Sequence, residues 1–305
     1  MLALFFAIRV NAQDTNYVSK YDNLLTLKTF VYNDGFGVED KRTGLKYIPG
    51  FHSGIGIGFY FKYIPFDFSL RKEFSDIGDS KYHKKTSTYM QLKGYSKLFA
   101  GDIFIQKYTG FYTGETKSYK VLQNPLSELE FNPDLSLFLL DAVGKYIFNH
   151  EKFSYKAGFT PYEKQLISAG SPIAGVTLHF MHVKSDSSLV YVNNSSDFQT
   201  LSLGINVGYA YNFVFGKRST LFLSWLGGLN GSNLIHKNLN TKNFTLWPSI
   251  YVKGAYWMNF DKWSWGITAI SNYTHQVFDK DIAVYMNSIK IDLVLVRRLC
   301  CYKTK

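Results

Sequence analysis

Three residues in the middle of the chain are of the types that nucleophilic catalysis uses: Ser168, Ser171 and His179. A membrane-embedded lipid hydrolase would need a serine hydroxyl beside a histidine, and a third polar group to orient that histidine. The GxSxG motif that presents the nucleophile in many hydrolases does not accompany them. The segment "SAGS" around Gly170 is more typical of a turn. A lipid hydrolase is therefore a remote alternative, and we predict that the protein is not an enzyme.

Histidine and glycine spacings indicate no metal or cofactor site. In "HFMH", His179 and His182 would lie on opposite faces of a strand, where they cannot share a metal ion. The glycines of "GIGIG" at 54–58 are spaced two apart, unlike those of a dinucleotide-binding G-x-G-x-x-G loop. We therefore expect no cofactor. The remaining histidines are scattered: His52, His83, His150, His236 and His275.

Basic side chains are the remaining candidates, because they could bind or pass anions. The chain of 305 residues has 34 Lys and Arg against 23 Asp and Glu, a net charge of +11. It contains no dense Lys/Arg patch and no nucleic-acid-binding motif, so we expect no nucleic-acid partner. The basic residues recur instead on the polar side of segments with alternating polarity. Together with two aspartates, these candidates are Lys28, Lys62, Asp67, Arg71, Lys93, Lys156, Lys253, Lys290, Asp292 and Arg298.

Long β-strands are the elements predicted to carry these residues. In "LSLGINVGYAYNF", Leu201 to Phe213, odd positions are large and apolar, and even positions are small or polar. This period of two is that of a strand with one apolar and one polar face. The same pattern predicts strands near 24–32, 53–63, 65–74, 86–95, 98–108, 135–148, 152–163, 173–184, 199–214, 219–230, 247–259, 262–273 and 285–299.

A membrane barrel accounts for strands of this length. A tilted strand of about 9–11 residues crosses the hydrocarbon layer, whereas most strands have about 5–6 residues. Only a closed sheet pairs all its backbone groups in lipid. The predicted fold class is all-β, a closed antiparallel transmembrane β-barrel with its apolar face toward lipid and its polar face toward the lumen. A soluble two-sheet sandwich with inward apolar faces is the alternative.

The connections between these strands come in two lengths. Tight turns such as "KYIPFD", "GYSKLF", "FNHEKF", "FGKRST" and "FDKW" largely alternate with long polar segments around 33–52, 75–85, 109–134, 185–198, 231–246 and 274–284. Short periplasmic turns and longer outer loops are typical of outer-membrane barrels, which usually have an even number of strands. The predicted strands are odd in number, so one is misassigned. We predict about 12 strands, with 14 as the alternative.

The ends of the chain read differently from the barrel. "MLALFFAIRVNAQ" has a short apolar run and then small residues before Gln13, as an export signal has. We expect residues 1–13 to be a truncated export signal, 14–299 a single transmembrane β-barrel and 300–305 a C-terminal tail. The two cysteines, Cys300 and Cys301, are adjacent in that tail, which excludes a disulfide scaffold.

Three segments resemble a known family: "YDNLLTLK" (Tyr21–Lys28), "NPDLSLFLLDAVGKYIFNHEKFSYKAGFTPYEKQLISAGSPIAGV" (Asn132–Val176) and "INVGYAYNFV" (Ile205–Val214). The family is an uncharacterised domain of unknown function, an outer-membrane barrel of Gram-negative, Bacteroidetes-type bacteria. The C-terminus departs from it, because such barrels usually end on an aromatic residue and Leu299 stands there. The resemblance implies an outer-membrane location and a barrel fold. It implies no substrate and no catalytic residues.

An excess of about six positive charges among the candidates leaves two functions open, because buried like charges must be paired or hydrated. The first is a narrow channel or uptake protein favouring small anions. The second is a non-conducting structural or assembly barrel that acts through its outer loops, with its cations paired by acids such as Glu39, Asp40, Glu73, Glu128 and Glu130. Expected partners are outer-membrane lipids, the barrel-assembly machinery during insertion and, for the channel, a small anionic solute.

Overall fold

The computed structural model describes residues 13–40, 45–48, 52–73, 86–115, 130–185, 197–235, 244–279 and 282–299. Most of the predicted export signal and all of the predicted tail lie outside these ranges. No helix within them is long and apolar enough to cross a membrane. The elements are β1 (Val18–Lys20), β2 (Leu25–Asp40), β3 (Leu45–Ile48), β4 (His52–Phe61), β5 (Ile64–Glu73), β6 (Thr86–Tyr95), β7 (Phe99–Glu115), β8 (Glu130–Ile147), α1 (Tyr155–Phe159), β9 (Glu163–Gln165), β10 (Ala169–Lys184), β11 (Asp197–Phe215), β12 (Ser219–Ile235), β13 (Thr245–Asn259), β14 (Trp263–Asp279) and β15 (Ile282–Leu299).

Twelve of these strands form a closed antiparallel barrel. β2 pairs with β4, and the sheet continues through β5, β6, β7, β8, β10, β11, β12, β13 and β14 to β15. β15 then pairs with β2, with Leu299 opposite Leu25, which closes the sheet. The predicted fold class and the strand number of about 12 are confirmed. The predicted strand at 152–163 is wrong, because that segment contains α1 instead.

A short strand keeps the barrel wall continuous at one rim. β4, β5 and β6 have 10 residues each, whereas β2 and β7 on either side have 16 and 17. β3 pairs with the far ends of both long strands, since Tyr47 is opposite Val38 of β2 and Thr113 of β7. β3 therefore joins β2 to β7 beyond the ends of the three shorter strands.

Several strands also continue into segments that the sequence predicts to be loops. β2 reaches Asp40, β7 reaches Glu115, β12 reaches Ile235 and β14 reaches Asp279. The neighbouring antiparallel strands supply the backbone hydrogen bonds that these extensions need. Polar and apolar residues alternate only weakly in these extensions, so the period of two does not identify them as strands.

The outer face of the barrel is apolar. In β11, Leu203, Ile205 and Val207 are 60%, 73% and 67% exposed, whereas Ser202 and Asn206 are buried on the inner face. Such a continuous apolar surface outside a closed sheet is stable in contact with lipid, not water. The predicted orientation is therefore confirmed, and the soluble sandwich is excluded because the apolar faces do not pack against each other.

Ile205→Arg should destabilise the barrel by about 2–4 kcal/mol, because it places a charge in hydrocarbon near the middle of the bilayer. Urea titration of the protein folded in liposomes, with heat-modifiable gel mobility as the folding assay, would measure the loss. Ile205→Val is the control and should cost little. The orientation would be reversed if Asn206→Leu, on the inner face, impaired insertion more than Ile205→Arg.

Candidate functional site

The connection between β8 and β10 folds into the barrel instead of forming a tight turn. This inner segment, residues 148–168, contains α1 and β9. Ser154 is the N-cap of α1, and its hydroxyl accepts a hydrogen bond of 3.0 Å from the Ala157 backbone N–H. Tyr155 and Phe159 are both at most 1% exposed. Phe153, Tyr155, Ala157 and Phe159 alternate with other residues as in a strand, yet all four are buried because the barrel surrounds this part of the segment.

The N-terminal residues 13–24 are tied to the inner segment. β1 pairs with β9 in a two-stranded sheet separate from the barrel. The Gln165 amide accepts a hydrogen bond from the Ser154 N–H at 3.0 Å and donates one to the Lys152 carbonyl at 2.6 Å. Asn212 of β11 donates to the Ser154 carbonyl at 2.9 Å and to Gln165 at 3.0 Å. These amides satisfy the buried backbone and attach the segment to the wall.

Two further wall residues hold backbone carbonyls of the inner segment. Trp257 of β13 donates its indole N–H to the Gly158 carbonyl at 3.0 Å. Arg298 of β15 donates to the Pro161 carbonyl at 2.6 Å. Glycine at position 158 lets the inner segment lie close to the wall. A Cβ at this position would lie only 2.3 Å from the ring of Phe222 on β12.

Tyr162 attaches the inner segment to the far side of the wall. Its hydroxyl donates to the Asp67 carboxylate of β5 at 2.7 Å, and its ring stacks on Tyr60 of β4 with centroids 4.2 Å apart. The Lys28 ammonium forms an ion pair with the same carboxylate. Burial raises the pKa of the Tyr162 hydroxyl well above its ordinary value, and the Asp67 charge raises it further. The hydroxyl therefore remains a donor.

Aromatic contacts show that the inner segment spans the lumen. Phe222 of β12 lies with its ring centroid 5.0 Å from that of Tyr155 and 5.8 Å from that of Phe159. Tyr95 of β6, across the barrel, lies 5.4 Å from Tyr155. The start of β2, the end of β15 and the tight turns between the described strands are at this end of the barrel, which identifies it as the periplasmic end. The turn predicted at "FNHEKF" is present at residues 148–152, but it leads into this lumen-filling segment instead of into a barrel strand.

Asp102 of β7 is the centre of a buried charge cluster. Its carboxylate accepts hydrogen bonds from Lys145 of β8 at 2.7 Å, from Lys253 of β13 at 2.6 Å and from the Tyr95 hydroxyl at 2.7 Å. The side chains of Asp102 and both lysines are at most 5% exposed. One carboxylate is therefore shared by two ammonium groups, one from the neighbouring strand β8 and one from β13 across the lumen.

Asp292 of β15 is the centre of a second cluster, which also has one carboxylate and two cations. Its carboxylate lies 3.4 Å from Arg71 and 3.2 Å from Lys290. Lys290 also donates to the Gln91 side-chain oxygen at 2.8 Å. The Arg71 guanidinium lies 3.8 Å from the ring centroid of Tyr89, which adds a cation–π contact. The Asp292 carboxylate is thus shared by two cations, as the Asp102 carboxylate is.

Ser168, Ser171 and His179, the residues considered for a hydrolase, do not form a catalytic pair. His179 bonds to Asp141 at 2.6 Å and to the Tyr251 hydroxyl at 2.7 Å. Ser168 and Ser171 accept hydrogen bonds from backbone N–H groups near the periplasmic end. A hydrolase would require one of these serines to bond to His179, but both bond to the backbone instead. Within the described ranges, no group of three or more His, Cys, Asp or Glu could hold a metal ion.

The structure brings most of the predicted lumen residues to the inner face, namely Lys28, Asp67, Arg71, Lys93, Lys253, Lys290, Asp292 and Arg298. Two lie elsewhere. Lys62 is in the turn after β4, where its side chain is 44% exposed and lies 3.7 Å from Asp22. Lys156 is on α1 instead of a barrel strand, 3.6 Å from Glu163.

Three charged residues on the described inner face of the barrel wall were missed from the sequence: Asp102, Asp141 and Lys145. The alternation in β7 and β8 would have placed all three on the polar face. Among the described side chains, the inner face of the barrel carries seven cations and four carboxylates, an excess of three rather than six. Glu128 and the side chains of the other acids proposed as loop partners, Glu39, Asp40, Glu73 and Glu130, lie outside the described part, as do His83 and His236.

Among the described residues, two small cavities lie between these groups. The central cavity measures about 50 Å³ and is lined by both charge clusters, including Asp102, Lys253 and Lys290. The lower cavity measures about 20 Å³ and lies against Phe159 and Tyr162 of the inner segment. A volume of about 10–15 Å³ holds one water molecule on this scale. Neither cavity therefore accommodates an organic solute in this conformation.

A closed sheet with an apolar outer face and a charged interior defines an integral outer-membrane β-barrel, here with an inner segment across its periplasmic end. Within this class, the chain belongs to the family described as domain of unknown function DUF4421, which it matches over residues 12–295. The family resemblance and the outer-membrane location are confirmed, and the bacterial group stays a prediction. No curated protein matches the sequence.

Several solved outer-membrane structures are similar at low scores. The translocator domain of autotransporter NalP from Neisseria meningitidis has 11% identity and a TM-score of 0.40, with 88% of each chain covered. A bacterial polysaccharide outer membrane secretin has 8% identity and a TM-score of 0.38, covering 91% of this chain and 99% of that one. The Pseudomonas putida (P. putida) toluene transporter TodX has 7% identity and a TM-score of 0.29, covering 92% and 91%. At TM-scores below 0.5, these proteins carry no information about this chain's cargo or partners.

Proposed function

We propose that the protein is a non-enzymatic barrel that passes small anions through its interior and is held closed at the periplasmic end by the inner segment. One observation carries this proposal: among the described side chains, cations outnumber carboxylates by three on the inner face of the barrel. Like charges in a narrow, low-dielectric lumen attract counter-ions and set selectivity. The cavity volumes favour a small inorganic anion over an organic solute.

The sharing of each carboxylate by two cations supports weak binding of an anion, which passage requires. Asp102 is shared by Lys145 and Lys253, and Asp292 is shared by Arg71 and Lys290. Each cluster therefore keeps a local charge of about +1, because one carboxylate faces two cations. An anion in the central cavity would meet residues of both clusters, and neither cluster would hold it as strongly as an unpaired cation would.

A non-conducting barrel that acts through its outer loops is the second candidate function. It is favoured by the pairing of the buried cations and by the inner segment across the lumen. Ion pairs of this kind stabilise a filled interior when their geometry is good. In that case the lysines would serve the fold alone, and the outer loops would be the functional surface.

Recordings of the purified barrel in planar bilayers under a salt gradient distinguish the two candidates. We expect brief openings whose reversal potential indicates anion preference, because the lumen charge is positive. Lys253→Glu and Lys290→Glu should each move the reversal potential toward cation preference, and high salt should weaken the shift by screening. Lys217→Glu, in the exposed turn after β11, is the matched control and should change nothing.

Cation preference in the unmodified barrel would contradict the anion proposal. If neither the unmodified barrel nor a barrel without its inner segment carries current, the non-conducting candidate is the one supported. The Lys-to-Glu variants should then lower the free energy of unfolding instead of changing permeability.

A further inference from the structure

Lys93 of β6 is a buried lysine that neither charge cluster uses. Both of its cross-strand neighbours are acidic, Asp67 on β5 and Asp102 on β7. Asp67 is bound instead by Lys28 and Tyr162, and Asp102 is bound by the cluster described above. Among the described residues, no carboxylate lies within ion-pair distance of the Lys93 ammonium. That ammonium lies 5.1 Å from the ring centroid of Phe159, against the inner segment.

Gln91 provides a second donor on the same strand and the same face. Its side chain is 1% exposed, and its oxygen accepts the hydrogen bond from Lys290. Because the amide oxygen faces Lys290, the amide nitrogen faces away from Lys290. The nitrogen has no hydrogen-bond partner among the described residues. Burying an amide N–H without a partner is unfavourable, and a hydrogen-bond acceptor in the cavity would remove that cost.

Lys93 and Gln91 both line the lower cavity. The other charged groups lining it are Lys28, Lys290, Asp67 and Asp292. With Lys93, the lining carries three cations and two carboxylates, so one monovalent anion would neutralise it. The volume of about 20 Å³ fits one small ion and little more.

We propose that the lower cavity is a binding site for one halide-sized inorganic anion, held by the Lys93 ammonium and the Gln91 side-chain N–H. The inference rests on the proposed function and deepens it, since it names the class of solute and the point where the solute pauses above the inner segment. Release toward the periplasm would then require Phe159 and Tyr162 to move, because both residues line the cavity.

Bromide is the probe for this site, because its anomalous scattering identifies it in crystals of the full barrel grown in sodium bromide. We expect an anomalous peak in contact with both nitrogen atoms. Lys93→Met, which keeps the length of the side chain and removes its charge, should abolish the peak. Gln91→Leu should reduce it, and Lys97→Met, in the turn after β6, should leave it unchanged.

A second measurement covers variants that do not crystallise. The unmodified barrel in detergent should have a higher melting temperature in sodium chloride or bromide than in sodium gluconate at equal ionic strength, and Lys93→Met should lose this difference. A missing peak in the unmodified barrel, or a peak or halide-dependent melting temperature that persists in Lys93→Met, would overturn the site. These results do not depend on current: a conducting barrel without the peak contradicts the site alone, and a silent barrel with the peak contradicts the transport function alone.

Discussion

Replacing the inner segment by a short turn should convert a mostly closed barrel into one with a steady current. The variant would join β8 directly to β10 by exchanging residues 148–168 for the turn sequence of residues 216–218. The wall should persist, because β8 and β10 pair from Ile147 opposite Ile173 onward without help from the segment. Single-channel recordings would measure the current, which should remain anion-selective because the cations of the wall are retained.

Two point variants test the same idea without deleting chain. Tyr162→Phe removes the hydrogen bond to Asp67, and Trp257→Phe removes the one to Gly158. A hydrogen bond contributes about 0.5–1.5 kcal/mol, so each variant should raise the ratio of open to closed time by about two- to tenfold. Tyr63→Phe, at a tyrosine that is 75% exposed, is the control.

A folded deletion variant that carries no current would show that side chains of the wall or the outer loops close the lumen.

Asp102→Asn should be the most destabilising single substitution in the interior. It leaves the ammonium groups of Lys145 and Lys253 buried without their shared counter-charge, and breaking a buried pair in this way costs about 3–5 kcal/mol. Urea titration in liposomes would measure the loss. Asp22→Asn, which removes a fully exposed carboxylate near Lys62, is the matched control and should have little effect.

A double variant tests whether the loss comes from uncompensated charge. Adding Lys253→Met to Asp102→Asn should recover part of the stability, because one fewer ammonium group is then left unpaired. If Asp102→Asn costs less than about 1 kcal/mol, water must already solvate both lysines. That result would favour an open, hydrated lumen over the compact interior described here.

The barrel itself was predictable from the sequence because a period of two is a local property. Leu203, Ile205 and Val207 alternate with small or polar residues. This alternation assigns each residue to the outer or inner face from its immediate neighbours in the sequence, and no information about distant strands is needed. The same parity placed Lys28, Lys93 and Lys290 inside. It could equally have found Asp102 and Asp141, which were overlooked although their strands were predicted.

The inner segment was not predictable in this way. Its residues Phe153, Tyr155, Ala157 and Phe159 alternate as in a strand, and the sequence period is the same for a wall strand and for a segment buried on all sides. Ser154 as a helix N-cap was the available local signal. The decisive interactions come from Asn212, Phe222 and Trp257, which are distant in sequence and meet α1 only when the barrel closes.

The sequence by itself determined the strand class, the lipid-facing side and the positive character of the interior, because these depend on residue type and parity. Only the tertiary structure decided how many of the cations are balanced and which one is not. Lys93 has an acid opposite it on each neighbouring strand, so cross-strand pairing alone predicts an ion pair. Strands from the far side of the barrel and the inner segment supply Lys253 and Tyr162 to those acids. A partner across the lumen depends on barrel closure and register, which no local pattern encodes.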